Sequence, residues 1–139
     1  MVIDTLRLTS EHWQVMRRHV QAVAPLEACG LLAGKKDRVE AVLVMHNQAQ
    51  SAVRFTLNAR EQLEAFDWIE SRGLDLVGIF HSHPAGPETP SSADIAEAAY
   101  EVVHVIWSRP QGEWQARAFW IENEQAVEVA LEIIRQAIN

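Results

Sequence analysis

Two histidines at the end of an apolar segment are the residues of this sequence whose types and spacing could hold a metal. The stretch GIFHSHPAGPETPSSADI, residues 78–95, contains His81, His83 and, further on, Asp94. Residues i and i+2 of a strand point to the same face, so the two imidazoles are expected to lie side by side. Two nitrogens and one carboxylate oxygen suit zinc, and three protein ligands leave a fourth tetrahedral position for water. The spacing therefore predicts a catalytic rather than a structural metal site.

Hydrolysis of an amide at such a site also needs a carboxylate that takes a proton from water and passes it to the leaving amine. Glu88 lies within the loop that follows the histidines, and Glu27 lies upstream. Glu27 directly precedes an apolar segment that could form a strand beside the His81 strand, whereas Glu88 is in a loop rich in Pro and Gly. The sequence favours Glu27 as the proton carrier.

Structural roles compete with these functional ones. Ser91 and Asp94 have the spacing of a helix capping box, and Ser92 could cap the helix instead if Ser91 serves the site. Cys29 adjoins the candidate base, but its apolar neighbours favour a buried thiol over a nucleophile. His46 and His104 lie in apolar segments and are interpreted as core or edge histidines rather than ligands.

The elements that must position these residues can be read from the apolar periodicity. Residues 10–23 predict an amphipathic helix capped by Ser10, and the apolar stretch 74–83 predicts a strand in the middle of a sheet. The other predicted elements are a hairpin of strands 28–34 and 38–46, strand 52–58, helix 59–72, a helix that starts near 91, strands 102–108 and 115–121, and helix 124–138. This mixture predicts an α/β or α+β fold, and the absence of repeats and linkers predicts one domain, 1–139.

Composition limits the partners and the compartment. The net charge is -7, the 12 basic residues are scattered, and the isoelectric point is about 5.3, which argues against nucleic acid and anionic membranes as partners. A single cysteine and the lack of a signal-like start predict a cytoplasmic protein. The wide apolar face predicted for helix 124–138 favours a core position, with a homodimer surface as the alternative.

The candidate site residues resemble the signature of the JAMM (MPN-plus) zinc metallopeptidases. Glu27 is followed far downstream by HSHP (81–84), a seven-residue stretch from 84 to 90, Ser91, two residues and Asp94. The flanking EACGLL (27–32) and the glycine and proline at 86 and 90 are similar as well. Every motif position is filled, and the resemblance covers roughly residues 10–121.

This resemblance implies a JAMM/MPN-like fold, in which a mixed, strongly twisted β-sheet is sandwiched by helices in a cytidine-deaminase-like arrangement. It implies that His81, His83 and Asp94 bind Zn²⁺, that Glu27 is the general acid/base, and that Ser91 helps to hold the oxyanion. It also implies cleavage of peptide or isopeptide bonds after the C-terminal Gly-Gly of a ubiquitin-like or sulfur-carrier protein.

Two other functions remain open at this point. The same fold serves as a non-catalytic scaffold in large complexes, but scaffold members typically lack metal ligands, and here all of them are present. A RadC-like relative linked to DNA processing is disfavoured by the acidic charge and by the His-Ser-His form of the motif.

Overall fold

One mixed β-sheet forms the framework of the protein. The computed structural model describes residues 2–135, which contain seven strands and three helices. In chain order these are β1 (Thr5–Thr9), α1 (Ser10–Val23), β2 (Cys29–Lys35), β3 (Arg38–Met45), α2 (Ala59–Ser71), β4 (Asp75–His83), α3 (Ser92–Ala96), β5 (Val103–Ser108), β6 (Gln115–Glu122) and β7 (Gln125–Ile134). None of the helices in this part of the chain is long and apolar enough to cross a bilayer.

The strands are arranged in the order β1-β3-β2-β4-β5-β6-β7, and the sheet closes on itself because β1 also pairs with β7. The β1–β7, β1–β3 and β4–β5 pairs are parallel, and the others are antiparallel. Strand β4, which ends in the two histidines, lies between β2 and β5. The sequence prediction of a mixed α+β fold with β4 in mid-sheet is confirmed.

Alternating side chains of the sheet build separate cores on its two faces. Val105 and Trp107 of β5 pack in one cluster with Met16 and Val20 of α1, whereas the intervening Ile106 belongs to a second cluster under α3. A third cluster contains residues of β2, β3 and β4, and Ala65 of α2 packs against it. The central strands are therefore buried on both faces, which is why their sequences are apolar at successive positions.

Helix α1 covers a gap in the sheet. Strands β1 and β3 pair at a single position, Arg7 with Arg38, so most of one edge of β3 is left without a strand neighbour. His12 and His19, two turns apart on α1, place Nε2 at 3.2 and 3.1 Å from the carbonyl oxygens of Glu40 and Met45 on β3. These side chains satisfy edge carbonyls that a strand would otherwise satisfy.

The predicted helix 10–23 is confirmed, but its cap is Thr9 and not Ser10. The Thr9 side chain accepts a hydrogen bond from the backbone N of His12, and the His12 ring bonds back to the Thr9 backbone N. Thr9 is also the last residue of β1, a strand that was not predicted from the sequence. The five residues of β1 are too few for their periodicity to separate them from a helix start.

The predicted strand 52–58 is wrong, because this segment is a loop with one isolated bridge, Asn47 to Leu57. Hydrogen bonds of the Asn47 side chain, and not strand pairing, hold the loop. Asn47 Nδ2 donates to the carbonyls of Glu27, Ser51 and Arg54, and its Oδ1 accepts from the backbone N of 49 and 56. One half-buried amide thus bonds to backbone groups that a sheet would have paired.

The predicted helix 124–138 is also wrong within the described residues, because 125–134 form β7; positions 136–138 lie outside them. Asn123 and Glu124 both have positive φ, 52° and 59°, and form a two-residue connection from β6 to β7. Two positive-φ residues are typical of the tight hairpin turns that match strand twist. The Ala, Glu and Leu content of the segment favours a helix locally, but the free edges of β6 and β1 are both satisfied only by a strand.

Candidate metal centre

The end of β4 holds the two histidines rigidly. His81 is paired in register with Cys29 of β2 and Ile106 of β5, and His83 with Ser108 of β5. The two side chains are 0% and 4% exposed. Because neighbours pair on both sides of β4, the two imidazoles are fixed on one face as the i, i+2 spacing predicts.

Three donor atoms from His81, His83 and Asp94 form an almost equilateral triangle. His81 Nε2 lies 3.2 Å from His83 Nε2, and Asp94 Oδ2 lies 3.2 and 3.1 Å from these two atoms. Tetrahedral ligands at zinc distances of roughly 2.0–2.1 Å would be separated by about 3.3 Å. The residues present therefore fit a tetrahedral divalent metal, with one face of the tetrahedron supplied by this triangle.

A hydrogen bond behind His83 sets which nitrogen faces the triangle. His83 Nδ1 lies 2.8 Å from the carbonyl oxygen of Pro87 and donates to it, so Nε2 is left with a free lone pair toward the other two donors. Histidine ligands in metal sites commonly have an outer partner of this kind. On the other side, the Phe55 ring stacks on His81 with centroids 4.5 Å apart.

Asp94 is fixed by a helix cap. Ser91 is the N-cap of α3; its Oγ accepts from the Asp94 backbone N at 3.0 Å, and its own backbone N donates to Asp94 Oδ2 at 2.8 Å. Burial opposes the charge of Asp94, but its close contacts with His81 and His83 lower its pKa well below the usual range. The capping box and the metal-ligand arrangement are therefore the same structure, and the suggestion that Ser92 takes over the cap is wrong.

Glu27 lies beside the histidines, 2% exposed. Its carboxylate forms a compact group with His81 and His83, in which one ligand atom of each lies within 4.8 Å of the others. Its Oε1 is buried and has no hydrogen-bond partner among residues 2–135. Burial raises the pKa of Glu27 to about 7, which the charge of His83 moderates and that of Asp94 reinforces. A carboxyl with a pKa near neutrality can both take and give a proton.

Ser82, between the two histidines, ties β4 to the residue next to Glu27. Its Oγ accepts a hydrogen bond from the Ala28 backbone N at 2.8 Å, and its backbone N donates to the Ala28 carbonyl oxygen at 3.0 Å. Ser82 is 0% exposed. Strand alternation puts the Ser82 side chain on the face opposite the two histidines, where a buried hydroxyl needs a partner, and this is the signal that the sequence offered.

Glu88 and Cys29, the other candidates for catalysis, are not part of this group of side chains. Glu88 is outside the compact group and close enough to Arg117 to raise the pKa of that guanidinium slightly, after the larger effect of Glu128. Cys29 is fully buried, and burial raises the pKa of its thiol to about 12, with Glu61 and Glu27 adding to the effect. The geometry thus brings together all five residues predicted for the site and leaves these two out.

A buried His-His-Asp triangle with an adjacent carboxyl of raised pKa, at the end of a mid-sheet strand, defines the class of metal-dependent hydrolases. A sequence profile described as prokaryotic homologs of the JAB domain matches residues 9–122. The chain therefore belongs to the JAMM/MPN family, in its prokaryotic JAB-domain branch, and the resemblance noted in the sequence is confirmed.

Several similar proteins are named as peptidases or proteases. The chain is 38% identical to a probable TtuB-protein conjugate cleaving protease of Thermus thermophilus, covering 85% of this chain and 76% of that one. It is 36% identical to a desampylase of Pyrococcus furiosus, covering 76% and 74%, and 30% identical to the CysO-cysteine peptidase of Mycobacterium tuberculosis, covering 87% and 86%. A solved structure of a Desulfitobacterium hafniense protein matches with a TM-score of 0.86 and 31% identity over 94% of each chain. The prediction of a hydrolase is confirmed.

Proposed function

We propose that this protein is a zinc-dependent peptidase that hydrolyses the peptide or isopeptide bond after the C-terminal Gly-Gly of a ubiquitin-like or sulfur-carrier protein. The observation that carries the proposal is the donor triangle of His81, His83 and Asp94 with the Glu27 carboxyl beside it. The names of the relatives from Thermus, Pyrococcus and Mycobacterium support the substrate class.

The side chains of the chain divide the reaction between them. A zinc ion held by His81, His83 and Asp94 would supply Lewis-acid activation of water and of the scissile carbonyl. Glu27 takes the proton of the attacking water and gives it to the leaving amine, for which a pKa near 7 suits both steps.

The Ser91 hydroxyl can donate a hydrogen bond to the oxyanion. In the helix cap its Oγ acts as acceptor toward the Asp94 backbone N, so the hydroxyl hydrogen is not used there. A single donor of this kind stabilises the oxygen of the scissile carbonyl as it gains charge in the transition state. Capping and catalysis are thus compatible in one residue.

The burial of the site supports a substrate with glycine at the cleavage site. The three groups that face the reacting bond, Glu27, His81 and His83, are all less than 5% exposed. A backbone without side chains can approach such a recessed centre most closely. Phe55 and Pro87 contact the two histidines from the loops beside the centre, and an extended tail is the form of substrate that we expect between these loops.

The test uses carrier proteins fused after Gly-Gly to a short peptide, to cysteine, or through an isopeptide bond to lysine. Release is followed by mass spectrometry with the Glu27→Gln protein as the inactive control. We expect cleavage directly after Gly-Gly and a large loss when Gly-Gly is replaced by Ala-Ala. Indifference to that replacement, or cleavage of ordinary peptides only, would contradict the proposed substrate.

A further inference from the structure

A cavity of about 280 Å³ opens beside the metal centre and is not used by the mechanism above. Asp94 and Phe55 both line it, and Phe55 also stacks on His81. The cavity is therefore continuous with the place where the scissile bond must lie. Its volume is below that of most small-molecule pockets and is sufficient for one large side chain.

The walls of the cavity are mainly apolar. Its floor is formed by the sheet, where Ile79 of β4 and His104 of β5 are partners in register. Phe55 and Leu57 come from the loop after β3, and Tyr100 comes from the segment after α3. An apolar or aromatic body is the occupant that such walls favour.

His104 is the most deeply buried of the polar residues that line the cavity, which also include Arg54, Thr56, Gln62, Asp94 and Glu97. It is 3% exposed, and neither Nδ1 nor Nε2 makes a hydrogen bond within the described residues. The Tyr100 carbonyl is close enough to favour the protonated ring slightly, but burial, reinforced by His81, lowers the pKa of His104 to about 4. The neutral ring at pH 7 offers one donor and one acceptor, of which at least one has no partner.

A buried polar group without a partner destabilises the fold, so its presence needs a reason. A ligand that enters the cavity could provide the missing hydrogen bond. A hydroxyl both donates and accepts and therefore matches either ring nitrogen of His104. The Tyr100 hydroxyl already accepts from Gln62 Nε2 at 2.6 Å, which leaves its own proton available as a second contact.

We infer that this cavity is a specificity subsite for a tyrosine side chain of the bound polypeptide, whose ring packs between Phe55 and Ile79 and whose hydroxyl bonds to His104. The two glycines at the cleavage site cannot fill it. The tyrosine therefore lies a few residues from the scissile bond, since an extended chain advances about 3.3 Å per residue. That the occupant belongs to a substrate rests on the proposed function.

The first experiment measures binding without catalysis. The probes are p-cresol, which is the tyrosine side chain, and toluene, which is the phenylalanine side chain, titrated into the full-length protein and followed by NMR. We expect p-cresol to shift the signals of Phe55, Ile79 and Tyr100 and to bind roughly 5- to 10-fold more tightly than toluene, in line with one buried hydrogen bond.

The variant His104→Leu should reverse this preference toward toluene, whereas His46→Leu should not. His46 is the matched control because its side chain is 88% exposed and lies outside the cavity. If His104→Leu does not fold, Ala98→Phe serves instead, because Ala98 also lines the cavity and a ring there should block both probes. An unchanged preference in His104→Leu, or p-cresol shifts elsewhere in the protein, would overturn the inference.

The second experiment separates the subsite from the proposed function. Gly-Gly substrates carry tyrosine or phenylalanine at each of the three positions before the glycines and the two after the bond, and kcat/KM is measured for each. At one position tyrosine should be preferred roughly 5- to 10-fold, and only in proteins that retain His104. Cleavage without such a preference overturns the subsite and leaves the function standing. If no substrate is cleaved, the proposed function fails, and the p-cresol titration alone decides whether the cavity binds a phenol.

Discussion

Ser82 gives the most specific prediction of the structure, because it is neither ligand nor base and yet connects the two. Its hydroxyl accepts a hydrogen bond from the backbone N of Ala28, and its backbone N donates to the Ala28 carbonyl oxygen; Ala28 directly follows Glu27. Ser82→Ala removes the acceptor for the Ala28 N–H and keeps the backbone pairing. We therefore expect the strand to remain and the Glu27 carboxyl to lose its fixed position relative to His83.

The size of the effect follows from the burial of the bond. An amide N–H left without an acceptor at a fully buried position costs about 1–3 kcal/mol. For a chain of 139 residues, an unfolding entropy of about 0.3 kcal/mol/K converts this to a Tm lower by about 3–10 °C. A displacement of the base by about 1 Å can cost roughly 100-fold in rate, so kcat should fall by about 10- to 100-fold.

The assay compares Ser82→Ala with Ser82→Thr, which keeps a hydroxyl. Steady-state kinetics on a Gly-Gly fusion should show the loss in kcat, with KM changed by less than about 2-fold, because the binding surfaces are untouched. Zinc content should stay at the wild-type level, and Ser82→Thr should recover part of the rate. In a Glu27→Gln background, Ser82→Ala should add little, since the group that it positions is already inactive.

Three results would refute this reasoning. A kcat within 2-fold of wild type would show that Glu27 is held by other contacts, such as those of Asn47 and Ser51 with its backbone. Loss of zinc would place the effect at the histidines instead. A full additional rate loss in the Glu27→Gln background would mean that Ser82 acts independently of Glu27.

Three further predictions concern the centre and the buried Cys29. Protein purified without chelator should contain about one zinc per chain by elemental analysis, and His81→Ala/His83→Ala should contain none; equal content in both would disprove the ligand assignment. Glu27→Gln should keep the zinc and lose at least roughly 100-fold in kcat. The Tm of Glu27→Gln should not fall, because burial raises the carboxyl pKa to about 7 and a neutral amide is tolerated at such a buried position. Full activity of this variant would mean that another residue transfers the proton. Because burial raises the Cys29 pKa to about 12, iodoacetamide at pH 8 should label the protein only after unfolding, as followed by mass spectrometry, and rapid labelling of the native protein would contradict its buried position.

Local patterns determined the elements nearest to the site. The apolar stretch that ends in His-Ser-His predicted β4, because a strand buried on both faces needs apolar residues at successive positions. The same spacing put His81 and His83 on one face, and the capping-box spacing of Ser91 and Asp94 predicted how α3 begins. These features depend on residues that are close to one another in the sequence, so they can be predicted from residue types and spacing.

Strand β7 shows where local patterns failed. Its Ala, Glu and Leu residues repeat at helical spacing, and over fifteen residues this signal outweighs the positive-φ turn at Asn123 and Glu124. The segment becomes a strand because it completes the ring between β6 and β1, at the opposite end of the chain. Periodicity carries no information about an edge that lies more than 100 residues away.

The sequence by itself predicted the donor set, the position of both histidines on one strand, and the choice of Glu27 over Glu88. Only the tertiary structure decided how Glu27 reaches the histidines, because Ala28 and Ser82 meet across 54 residues of chain. It also decided that residues 52–58 form a loop held by the Asn47 side chain. His104 lies beside a cavity, and its ring nitrogens have no hydrogen-bond partner within the described residues. Residue types and spacing fix which groups can do chemistry, whereas the distances and the desolvation that make them do it arise from long-range packing.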